Sequence, residues 1–269
     1  MDMKIGERIY RYAVATRASH WLWVIAFGVL VSSGLQIFMA APFLDASDLT
    51  NPAHRVLAID SPSQGVGRTA LLGHSFTTTG WLGYTDDGMG GQTERAFPGW
   101  ITIPAFQDLA DGRRWHFFFA WIAVACGLAW LISTAIKGNL RDMILRPSDL
   151  PKLWPMQAYY LKLRKEPPPH GIYNPLQKAA YTFVMFVLAP VIVLTGFALS
   201  PGIDVIAHPL TWIFGGRQFA RLWHFVAMLA LIGFFLIHTM QVLTQGVLNQ
   251  LNSMITGWYR LGASDEVGP

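Results

Sequence analysis

The chain has 269 residues, 52% of them hydrophobic and only 13% charged, with a formal net charge of +4. Soluble globular domains carry about 25% charged residues, so the composition excludes an ordinary soluble domain and points to a membrane protein. The single cysteine, Cys126, excludes an intramolecular disulfide, a Cys-x-x-Cys-His haem attachment and a four-cysteine iron–sulfur cluster within this chain.

Crossing a bilayer takes roughly 20 apolar residues. The first run that meets this length extends from about Ala18 to Ala41, preceded by Lys4, Arg8, Arg11 and Arg17 and closed by Pro42. Met39-Ala40-Ala41 has the small residues of a cleavage site, but the run is longer than the roughly 7–15 residues of a secretory-signal core. An uncleaved helix is expected. The segment 42–114 follows, acid-rich through Asp45, Asp48, Asp60, Asp86, Asp87, Glu94, Asp108 and Asp111. Loops of this length are functional or disordered. The aromatic residues of Gly80-Trp81-Leu82-Gly83-Tyr84 and Phe97-Pro98-Gly99-Trp100 argue against disorder. Two readings remain for it: a folded cap that docks a partner, or a lid over a cofactor.

The second run spans about Trp115 to Ile136 and stops at Lys137-Gly138-Asn139. The segment 137–178 is basic, with Lys137, Arg141, Arg146, Lys152, Lys162, Arg164 and Lys165. The third run covers about Ala179 to Ser200, ending at Pro201-Gly202, and the fourth about Leu222 to Leu243. Loops rich in Lys and Arg stay on the cytoplasmic side. Both termini and 137–178 are therefore expected in the cytoplasm, with 42–114 and the short third loop in the periplasm. The expected fold is an all-α, multi-pass protein of a bacterial inner membrane. Residues 1–269 form one domain, a four-transmembrane-helix bundle with a long periplasmic loop.

Of eight histidines, His20, His116, His224 and His238 fall in or at the mouths of these runs. An ionisable side chain in hydrocarbon is costly and is a functional candidate by default. His224 and His238 lie fourteen residues apart on the last helix. At about 100° and 1.5 Å per residue they return to within about 40° of one direction, about 21 Å apart along the axis. That suits two stacked haems held between helices, each iron taking one of these imidazoles. Depth supplies the partners: His20 near the cytoplasmic end matches His238, and His116 at the periplasmic mouth matches His224. Arg17, Arg113 and Arg221 each precede a histidine by three residues. Residues at i and i+3 share a helix face, so these arginines can reach haem propionates or simply decorate the interface. Gly28, Gly34, Gly127, Gly196 and Gly233 can make room for a porphyrin or serve close helix packing. His54, His74, His170 and His208 read as solvated or structural. No HExxH, Walker, dinucleotide-binding or Ser-His-Asp pattern is present, so no bond-breaking catalysis is expected, and nothing points to nucleic acid.

His224-x13-His238, with His20 and His116 on earlier helices, resembles the cytochrome b561-type membrane subunits of nickel–iron hydrogenases and formate dehydrogenases. The stretches from Tyr173 to Tyr181, Leu194-Thr195-Gly196 and Ser253-Met254-Ile255-Thr256-Gly257 resemble the thiosulfate reductase cytochrome b-like subgroup. The resemblance implies two b haems connecting a catalytic subunit outside the membrane with the quinone pool, with electrons flowing in either direction. The long periplasmic loop is more like relatives associated with molybdopterin oxidoreductases, which favours that partner over a hydrogenase. The family's quinone position near the cytoplasmic haem maps to Asn174, Gln177 and Lys178, whose polar groups can bond a quinone carbonyl. The same residues also read as a helix start, with Asn174 as N-cap and Pro175 behind it. A stand-alone b561-type quinol oxidase acting on superoxide is the alternative, which the large loop disfavours. A histidine-lined transporter without haem is a third reading, and it predicts a colourless protein.

Overall fold

The computed structural model describes residues 6–136, 140–170, 173–244 and 246–261. Lys4, the Lys137-Gly138-Asn139 stop and Pro269 lie outside the described residues. Four helices are long and apolar enough to cross a membrane: Val14–Phe38, Leu109–Ile136, Pro175–Leu199 and Arg217–Thr244. Each begins four to six residues before its apolar run. The added turns carry Arg17, Asp111, Arg113, Arg114, Gln177, Lys178, Arg217, Gln218 and Arg221. A helix satisfies its own backbone and can run on into the interface, whereas hydropathy registers only the hydrocarbon segment. In the third helix the turn Val184–Leu188 widens to π geometry just before Pro190, which has no N–H to donate to the turn behind it.

The chain divides into two compact units, and each long helix contributes to both. The first comprises residues 1–21, 127–190 and 229–269. Here strand β1 (Arg8–Tyr10) takes up an antiparallel partner from the far end of the chain, Trp258–Arg260, with Arg8 opposite Arg260 and Tyr10 opposite Trp258. The Arg11 guanidinium lies 4.6 Å above the Tyr259 ring. Both ends of the described chain therefore lie side by side. The segment before the third helix is tied to that helix. Lys178 Nζ lies 3.2 Å from an Asp149 oxygen, the Tyr160 hydroxyl accepts from Asn174 Nδ2 at 3.1 Å, and Leu145 N donates to Thr182 Oγ1 at 2.8 Å.

The second unit comprises residues 22–126 and 191–228. The all-α expectation holds for its helices but not for the loop, which is a β structure. Strands β2 (Phe43–Asp45), β3 (Arg55–Ser63), β4 (Val66–Leu71) and β5 (His74–Thr77) form an antiparallel sheet in that order. A hairpin of β6 (Gly83–Asp86) and β7 (Gln92–Arg95) adjoins it, and the C-terminal strand of the first unit is β8 (Trp258–Arg260). β4 and β5 are joined through Leu72 and Gly73, at φ 50° and 83°, the left-handed pair that a tight hairpin needs. β4 and β6 approach so closely that a Cβ on Gly67 would lie 2.1 Å from the Leu82 carbonyl oxygen. Only glycine fits there. The loop's apolar core of Phe38, Met39, Leu44, Ile59, Ala96 and Phe97 also packs against Leu222 and Phe225 of the fourth helix. The cap is thereby seated on the ends of the first and fourth helices by burial of apolar surface.

Buried ionic groups give this cap its internal order. Asp45 is fully buried and accepts from Arg55 Nε at 2.9 Å and from the Asn51 amide at 2.8 Å. Burial alone would raise its carboxyl pKa. Those hydrogen bonds, with the charges of Arg55 and Arg221, outweigh burial and hold it below the usual carboxylate range. Arg95, 4% exposed, donates to the carbonyls of Asp87 and Ala105 and to the Thr102 hydroxyl, at 2.8, 2.8 and 3.0 Å.

Candidate functional site

His116 stands in the second turn of the second helix and His224 in the second turn of the fourth. The structure turns them toward each other, with ring centres 6.2 Å apart and planes inclined by 61°. Each imidazole is backed by a hydroxyl–glycine dipeptide on a different helix. Ser33 Oγ lies 3.1 Å from His116 Nδ1, and Thr195 Oγ1 lies 2.9 Å from His224 Nδ1. The next residues are Gly34 and Gly196, where an added Cβ would come within 3.4 Å of the respective Cε1 atoms. Each imidazole thus lies close against the neighbouring helix at its glycine, within van der Waals reach of a Cβ there. Gly28 and Gly233 have nothing within 4 Å of such a Cβ.

The other pair belongs to the first unit. His20 and His238 face each other with ring centres 6.5 Å apart and planes at 57°. Phe234, one turn before His238, stacks on it at 6.1 Å. Among the described residues His20 has no matching hydroxyl, and its buried Nδ1 has no hydrogen-bond partner. The foot of this first helix is held by the C-terminal segment: Arg17 donates to the Ile255 carbonyl, and Trp21 Nε1 to that of Met254 at 3.0 Å. Gly257, at φ 90°, ends the helix that presents these carbonyls.

Two imidazoles sharing one metal at bonds of about 2.0–2.1 Å have ring centres roughly 6 Å apart. Both pairs match that separation. Among the described residues no cluster of three or more His, Cys, Asp or Glu side chains is assembled. A bare metal ion would find too few donors here. A group that brings its own equatorial nitrogens, as a porphyrin does, needs only the two axial imidazoles present. The residues fit haem.

The arginines take other partners in this structure. Arg221 donates to the Ala41 carbonyl at 2.7 Å and to Gln218 Oε1 at 3.0 Å, pinning the start of the cap to the fourth helix. Arg113 sits 5.6 Å from the centre of the Phe117 ring, and Arg17 is the donor to Ile255 described above. Asn174 and Gln177 form a reciprocal capping box, with Gln177 N 2.9 Å from Asn174 Oδ1 and Asn174 N 3.1 Å from Gln177 Oε1. Lys178 pairs with Asp149, whose carboxyl is held below the usual carboxylate range by the Arg146 amide first and then by Lys178. The helix-start reading of this trio is therefore what its contacts display. His54, His74 and His170 are exposed, and His208 contacts Asp204 at 3.1 Å.

Sequence reasoning missed Ser33 and Thr195. Their signal was a hydroxyl–glycine dipeptide recurring on two apolar helices, Ser33-Gly34 and Thr195-Gly196. A profile of the prokaryotic cytochrome b561 family matches residues 11–257 of the chain. A relative from Azospira oryzae, named as a candidate protein-methionine-sulfoxide reductase subunit, YedZ1, is 27% identical over 226 residues. That alignment covers 84% of this chain and 86% of the relative.

Proposed function

The chain belongs to the prokaryotic cytochrome b561 family, a multi-pass membrane protein that binds haem b, and we propose that it is the di-haem electron-transfer subunit of a membrane oxidoreductase. In this reading it links a periplasmic catalytic partner to the quinone pool. The observation that carries it is the pair of facing imidazoles, repeated at 6.2 and 6.5 Å. Haem b, when bound, supplies reversible one-electron chemistry. His116 and His224 would be the axial ligands of one iron, and His20 and His238 those of the other. The hydroxyls of Ser33 and Thr195 orient the first two rings. The helices that carry both pairs are apolar, and Arg17, Arg113 and Arg221 stand one turn from a ligand, where they can answer propionate charge.

The folded cap on the 42–108 segment and the name of the Azospira relative favour a periplasmic sulfoxide-type reductase as partner. By the family resemblance this would be a molybdopterin enzyme rather than a hydrogenase. The placement in a bacterial inner membrane with both termini cytoplasmic rests on the Lys and Arg asymmetry of the loops and on the pairing of β1 with β8. A quinone would be the membrane-side electron partner, with Asn174, Gln177 and Lys178 in the unit that also holds His20 and His238. The reading is tested by haem stoichiometry. A pyridine haemochrome assay of the purified protein should give two haems b per chain, and one or none would overturn it.

A further inference from the structure

The hydroxyls behind His116 and His224 have only one proton each, and the structure shows where it goes. Ser33 Oγ lies 2.5 Å from the Val29 carbonyl oxygen, and Thr195 Oγ1 lies 2.5 Å from that of Val191. A carbonyl can only accept, so each hydroxyl donates back to its own helix. What it turns toward the imidazole is a lone pair. Nδ1 must then carry the hydrogen, and it donates to Ser33 Oγ in His116 and to Thr195 Oγ1 in His224. In a neutral imidazole the second nitrogen is then the lone-pair donor. Both Nε2 atoms are therefore set in the tautomer that ligates a metal.

We propose that Ser33 and Thr195 are positioning residues that lower the reduction potential of the iron held by His116 and His224. The proposal rests on the reading that these two histidines hold a haem. Accepting a hydrogen bond from Nδ1–H raises the basicity of the ligand at Nε2. A more basic axial ligand favours the ferric over the ferrous ion, and second-shell hydrogen bonding is one of the protein's means of setting a haem potential. Ser33 and Thr195 bond the rings of one pair, His116 and His224. The Nδ1 of His20 is buried with no partner among the described residues, so the other pair lacks a matching hydroxyl on that ring. The recurrence of one device on two unrelated helices, each with its glycine, gives the pair of ligands equal support.

The test is a potentiometric titration of the purified membrane protein carrying Ser33→Ala, Thr195→Val or both, with haem content read by pyridine haemochrome. Each single variant should raise the midpoint of one and the same haem component, the double variant should raise it further, and the second component should stay put. Ser33→Thr, which restores an acceptor, should return the wild-type midpoint. No shift, a downward shift or an equal shift of both components would overturn the proposal. If Ser33→Ala loses one haem, retention of both by Ser33→Thr supports it, and loss in both variants assigns the site to packing and overturns it. His224→Ala separates this from the underlying reading. If it removes no haem component, the ligand assignment fails; if it removes one that Ser33→Ala leaves unshifted, only the present proposal fails.

Discussion

At the scale of the residue, the four histidines do different work although they are chemically alike. His116 and His224 have their tautomer set by a hydroxyl, whereas His20 lacks that partner and His238 rests against the face of Phe234. Each proposed iron depends on a separate pair, so the two sites should be separable by mutation. His238→Ala should abolish one spectroscopic haem component and leave much of the other, and His224→Ala should do the reverse. Optical spectra at low temperature check this, and removal of the same component by both would contradict the pairing. Asp45 gives a residue-scale prediction of another kind. Its folded pKa is depressed, so its contribution to stability is complete above the ordinary aspartate value of about 3.9 and is lost as pH falls through the lower folded value. Thermal unfolding of the cap should therefore be flat with pH around neutrality and weaken below about pH 4. Asp45→Asn should cost about 1–3 kcal/mol at neutral pH, because its single amide oxygen can accept from only one of Arg55 and the Asn51 amide and leaves the other donor facing an NH2, and it should flatten the acid limb.

At the scale of the element, the 42–108 segment is a small sheet rather than a connector. Its strands pair locally, its core is shared with the helix ends, and its order rests on Asp45 and Arg95. None of the four candidate ligands belongs to it. Electron transfer to a partner needs close approach of the two proteins, whereas haem ligation needs only the helices. Shortening the stretch between Gly65 and Gly91 should thus lower reduction of the haems by the partner while reduction by dithionite stays complete. Loss of haem in that variant would instead identify the sheet as a lid. Full partner-driven reduction would place docking elsewhere, on the segment 142–170. The long helices show the converse economy. Each is largely apolar along its middle, and its charged groups gather in its first turns, where some bind carbonyls of neighbouring segments, as Arg17 and Arg221 do.

At the scale of the whole molecule, the ends of the described chain pair through β1 and β8, and with four helices long and apolar enough to cross a membrane the two ends are expected on one side. Reporter fusions after Pro269 and within the 42–108 segment should accordingly read opposite sides, and agreement between them would contradict four crossings. The sequence by itself determined the helices and the four histidines, because length, hydropathy and the 3.6-residue period are local properties of the chain. It also determined which histidines match in depth, since rise per residue converts chain position into distance along a helix. It could not decide how the arginines spend their donors, nor that Asn174 and Gln177 would satisfy each other rather than stay open to a ligand. The sheet inside the cap escaped it too: most of its strands are short, and their burial comes in part from Phe38 and Phe225 on the helices. The hydroxyls behind the ligands escaped it for the same reason. Ser33 lies 83 residues from His116 and Thr195 lies 29 from His224. Only the packed tertiary structure brings such groups within hydrogen-bonding distance, because those bonds depend on which helix faces meet.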